Sequence, residues 1–179
     1  MAATEKKQMW YWKGTIPPIR KQLMAASQGI FMPGTGGYVS TSGTVKITDT
    51  SDGTGDVWHG FIIGVVDKTT AWPITAAFAV NAEVRMSMIS KGTVYAGFAE
   101  TSGTDTAATQ AMVGDSYGIT VSSTAGEIGY ASIDVGNANT TVLVDNIASN
   151  EEAAKFTTSD SPGVLLVHFL PANIDASKA

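Results

Sequence analysis

The stretch YGITVSSTAGEIGYASIDV, Tyr117–Val135, decides the fold class. Tyr117–Ser122 and Ile128–Val135 are short runs rich in β-branched and aromatic residues. Thr124-Ala125-Gly126 between them is turn chemistry, so the stretch predicts two strands paired about a turn. The same pattern continues outward in both directions. Downstream, Thr140–Ile147 alternates, with Val142 and Val144 on one face and Leu143 on the other. Gly163–Leu170 is almost wholly apolar, the mark of a central strand buried on both faces. Upstream, Asn81–Ile89 and Thr93–Phe98 read as a pair joined at Ser90-Lys91-Gly92. Val57–Val66 is a further strand. Val39–Thr48 places Val45 and Ile47 on one face, and Asp52-Gly53 inside DTSDGTGD (Asp49–Asp56) is a hairpin signal. From Tyr38 onward only Ser149–Phe156 reads as helix, with Ser149 or Asn150 as cap and Glu151 and Glu152 at its positive end. Short strands at intervals of about ten residues predict an all-β fold, a single β-barrel or sandwich domain.

Charge divides the chain unevenly. The first 21 residues hold Lys6, Lys7, Lys13, Arg20 and Lys21 against Glu5, a net +4, within a chain whose total is −5. The remainder is therefore at −9. The same segment carries Met9, Trp10, Tyr11 and Trp12, and Pro17-Pro18 enforces extended backbone. A short helix is expected from Ile19 to Gly29, and MPGTGGY (Met32–Tyr38) then reads as hinge. These features predict an extended N-terminal arm and Gly-rich linker over residues 1–37, and a β-rich body over 38–179. Two placements are open for the arm's rings: on the parent domain as a first strand, or on another subunit. The proline break, the glycines and the charge contrast favour the second. Tyr, Trp and Arg also carry most interface energy, and burying three rings contributes several kcal/mol at roughly 25 cal/mol per Å². The expected anchoring residues are Lys6, Lys7, Trp10, Tyr11, Trp12, Lys13, Arg20 and Lys21.

Composition narrows the chemistry. Cysteine is absent, which removes disulfides, thiol catalysis and Cys-based metal centres. Charged residues make up only 15%, below the usual quarter. A surface of small neutral residues leaves less to desolvate when it is covered by a neighbour. A body at −9 repels phosphates, so nucleic acid is not an expected partner. No run is long enough to span a bilayer as a helix, and no signal-peptide pattern is visible, so synthesis in the cytoplasm is expected.

One catalytic motif is present in form. Gly114-Asp115-Ser116-Tyr117-Gly118 matches G-x-S-x-G, and Asp134 or Asp145 and then His168 follow in the chain order of an α/β-hydrolase. The residues after Gly118 are a strand pattern, however, and the helix such an elbow requires is missing, so a tight turn into a strand is the better reading. Asp49, Asp52 and Asp56 suit a hairpin turn better than a calcium loop. His59 and His168 each stand without a His or carboxylate at ligand spacing, as core histidines do. No enzyme activity and no cofactor are expected.

The arm TEKKQMWYWKGTIPPIR, the cysteine-free Thr/Gly/Ala-rich body with AMVGDSYGITV and IGYASIDVGNANTTVLVDNI, and the closing GVLLVHFLPA together resemble the capsid decoration, or cement, proteins of tailed bacteriophages. The resemblance implies a structural protein of the virion on the outer capsid surface. It would be bound to the major capsid protein and self-associated, as a homotrimer. A different reading is a carbohydrate- or receptor-binding β-sandwich of a phage tail, with Trp58, Trp72 and Tyr130 stacking on sugar rings.

Overall fold

The computed structural model describes residues 9–25, 34–40, 42–47, 58–66, 82–122, 130–137, 141–150 and 162–171. They form twelve strands in chain order: β1 Trp10–Gly14, β2 Ile19–Leu23, β3 Thr35–Val39, β4 Val45–Ile47, β5 Gly60–Val65, β6 Glu83–Met88, β7 Thr93–Thr101, β8 Thr104–Asp105, β9 Ser116–Val121, β10 Ala131–Asp134, β11 Val142–Ile147 and β12 Val164–Phe169. Two 3-10 turns, Gln110–Met112 and Ala148–Asn150, are the helical elements among the described residues. The all-β expectation holds.

The strands form two sheets. In the larger, β7 pairs β10, then β9, β11 and β12 follow, and β12 returns to pair β7. That ring closes a five-stranded barrel, which leaves no free edge around it. Its interior is filled by Val121, Ala131, Ile133, Val142, Val144, Leu165, Val167 and Phe169. β12 is buried on both faces as the sequence predicts. Leu165, Val167 and Phe169 point into the barrel, and Val164 and Leu166 point into an outer cluster with Ala96 and Phe98. The expected β9–β10 pair is also present, with Ala131 opposite Val121 and Asp134 opposite Gly118.

The second sheet runs β2-β6-β5-β3-β4. It curls until a parallel bridge between Met24 and Val45 joins its two edges. Met24, Val39, Val45, Ile62, Val84, Met86 and Met88 fill its concave side. The unbranched methionines adapt to this narrow, irregular space. Four rings join the sheets: Phe61 of β5 lies 5.5 Å from Tyr95 of β7, and Trp58 lies 6.0 Å from Phe169 of β12. Burial pushes the Tyr95 phenol pKa up.

Three expectations are corrected. The 81–89 and 93–98 strands are not a hairpin. β6 pairs β2 and β5, β7 pairs β1, β8, β10 and β12, and Ser90-Lys91-Gly92 carries the chain from one sheet to the other. Residues 19–23 are strand rather than the start of a helix, because their backbone pairs with β6. The glycines of the expected linker lie within a strand: Gly36 and Gly37 belong to β3, and a Cβ on Gly36 would stand 2.1 Å from the Trp58 ring. Glycine is required there so that the indole can approach the backbone closely. The Asp49–Asp56 turn, the Thr124–Gly126 turn and residues 151–156 of the expected helix lie outside the described residues.

Candidate functional site

The expected arm is extended but does not stand off the body. β1 pairs β7, with Trp10 opposite Ala96 and Gly14 opposite Thr93. The chain then crosses Pro17-Pro18 to β2, which pairs β6 along its whole length. Residues 10–24 thus link the two sheets, one strand in each. The rings divide by the alternation of the strand. Trp10 and Trp12 are half-buried against the outer cluster, with Trp10 5.5 Å from Phe98. Tyr11 is exposed, and its hydroxyl donates to the Gly14 carbonyl at 3.0 Å. The two tryptophans therefore pack on their own domain, a correction to their role as anchors on another subunit. Local patterning cannot reveal this, since their partners lie more than 80 residues away in the sequence. Tyr11, Lys13, Arg20 and Lys21 are exposed. Lys6 and Lys7 lie outside the described residues.

Exposed apolar side chains gather on this same run and beside it. Ile16 is 79% exposed and Ile19 64%, with Leu23 and Ile63 at about two-fifths. A single exposed isoleucine is ordinary, whereas several together mark a contact surface. β2 is inverted relative to a normal surface strand. Ile19, Lys21 and Leu23 point away from the sheet interior, while Arg20 and Gln22 oppose the buried Met86 and Val84. Across the outer side of β2, β6 and β5 lies a groove of about 340 Å³ lined by Ile19, Lys21, Ile63, Gly64 and Arg85. A bulge in β5 between Ile62 and Gly64 turns Ile63 outward onto this face. Ile16, Ile63 and Arg85 carry no sequence signal of this role, because the face is assembled by pairing of distant strands.

The serine motif does not assemble a triad. His168 and Asp145 do meet, with Nδ1 2.8 Å from Oδ1, both partly exposed. This corrects the reading of His168 as lacking a carboxylate partner. The pairing arises because Asp145 is the extra residue of a bulge in β11, between Val144 and Asn146. Ser116 is opposite Leu143, and Leu143 is opposite His168. Serine and histidine therefore stand two strand spacings apart, about 10 Å, with Leu143 between them. Proton transfer needs about 3 Å. Ser116 starts β9 and no helix follows it. Burial and the Asp115 charge push the neighbouring Tyr117 phenol pKa up.

His59 is a buried core histidine, its Nδ1 accepting the Val39 N–H. Trp58 and Tyr130 are each only 3% exposed, so neither presents a ring face to a sugar. Trp72 lies outside the described residues. Among the described residues no three His, Asp or Glu side chains converge as metal ligands. No described helix is long and apolar enough to cross a membrane. Comparison with protein-family models, with curated proteins and with solved structures finds no match to this chain.

Proposed function

We propose that this chain is a non-enzymatic structural protein of a virion, a capsid decoration protein that binds the major capsid protein on the outer shell. The observation that carries the reading is the β1 rim. Tyr11, Lys13 and Ile16 are exposed on an edge strand and its connection, Tyr11 and Lys13 on opposite faces because of a bulge at Trp12, while Trp10 and Trp12 fix that strand to the outer cluster. A rigid strand presenting an aromatic ring, a cation and an isoleucine loses little conformational freedom on docking. Repetition over a shell then multiplies a modest contact into stable coverage. The sparse surface charge suits burial between subunits. The sugar-binding alternative is weakened by the burial of Trp58 and Tyr130.

Co-sedimentation with shells of a tailed phage that lack the chain tests the proposal. The wild-type chain is expected to pellet with the shells, and the Tyr11→Ala/Ile16→Asp variant to remain in the supernatant while still folded. Equal pelleting of both, or of neither, overturns it.

A further inference from the structure

We infer that the outer face of β2, β6 and β5 is a self-association surface that meets a second copy of this chain across a two-fold axis. The argument rests on the register of the β2–β6 ladder. Ile19 lies opposite Ser87, Lys21 opposite Arg85, and Leu23 opposite Glu83, and all six point outward. Lys21 and Arg85 are like charges placed side by side, an arrangement that costs stability in an isolated sheet. Neither makes an ion pair with another described residue. Glu83 is also exposed, one row further along the same face.

An axis lying in the plane of contact, across the strands between these two rows, exchanges one row for the other. It sets Arg85 of each copy against Glu83 of its partner, twice per dimer, and Lys21 of each beside Leu23 of its partner. The lysine stem then covers the leucine while its ammonium reaches the rim. Ile19 and Ile63 flank the charged rows, so apolar area is buried along with them. A face that carries both signs and its own apolar border is complementary to itself, as a two-fold interface requires. The surface is distinct from the β1 rim, so both contacts can be made at once. It also points to an even-numbered assembly, where the resemblance to decoration proteins implies a trimer.

Sedimentation equilibrium of the full chain, up to about 1 mM, the weak end of specific association, decides the matter. The wild type is expected to show the mass of two copies. Glu83→Arg alone and Arg85→Glu alone each turn two attractions into repulsions and should weaken association at least about tenfold. The double variant, Glu83→Arg with Arg85→Glu, should restore it. Both positions are exposed side chains, so near-native circular dichroism is expected throughout. A monomer at every concentration, a trimer, or single reversals that leave the dimer intact would each overturn the inference.

Discussion

Replacing Phe61 by alanine tests how the two sheets are joined. Phe61 is buried on β5, with ring centroids 5.5 Å from Tyr95, 6.1 Å from Trp58 and 6.1 Å from Phe169. Truncating a buried phenylalanine costs about 3–5 kcal/mol, combining lost transfer energy and the cavity that remains. Two of the three neighbouring rings lie on the other sheet and cannot collapse inward without breaking strand pairing, which places the expected loss at about 4–5 kcal/mol. Phe61→Leu keeps most of the volume and loses the ring-edge contacts, so about 1–1.5 kcal/mol is expected. Ile63→Ala, two residues along and exposed, should change stability by under about 0.5 kcal/mol. Urea unfolding followed by tryptophan fluorescence and by far-UV circular dichroism reads all three. At a slope of about 2 kcal/mol/M, Phe61→Ala lowers the midpoint by roughly 2 M. Both signals should move together, because the seam makes the sheets one cooperative unit. The reasoning is refuted if Phe61→Ala costs under about 1.5 kcal/mol, or if one sheet unfolds early while the other keeps its wild-type midpoint.

Other outcomes follow from the same contacts. Gly36→Ala drives a methyl into the Trp58 ring and should cost about 1–3 kcal/mol, read as a fall in urea midpoint. Asp134→Ala removes the acceptor for the Gly136 N–H at 2.9 Å and the Thr120 hydroxyl at 3.2 Å, and should cost about 1–3 kcal/mol in the same assay. The Tyr95 phenol is harder to ionise folded than unfolded, so its contribution is complete below the unfolded value near 10 and declines as pH rises above it. The midpoint should fall between pH 9 and 11, and Tyr95→Phe should flatten that fall. Deleting residues 1–24 removes Met9, both tryptophans of the outer cluster and Met24 from the core, and should leave the body unfolded by circular dichroism.

The strand pattern was legible where each strand announces itself locally. The alternation in 142–147 and the apolar run at 164–169 name both the element and its burial. The N-terminal segment misled because its signals are local and its partners are not. The positive charge, Pro17-Pro18 and the glycines describe a detached arm, yet Trp10 finds Ala96 across the chain and Gly36 is needed under Trp58. Short connections misled in a similar way. Ser90-Lys91-Gly92 has hairpin chemistry, but Met86 and Met88 belong to one core and Tyr95 to the other, so burial separates the strands. The exposed face of β2, β6 and β5 was invisible because Ile19, Arg85 and Ile63 become neighbours only through two ladders and a bulge. The Asp145–His168 contact likewise depends on a bulge that spacing does not encode.

The most direct test of the proposed structural role is the copy number of this chain relative to the major capsid protein in purified virus particles, by quantitative mass spectrometry. A decoration protein repeated over the shell predicts a ratio near one to one. A handful of copies per particle, or none, contradicts it.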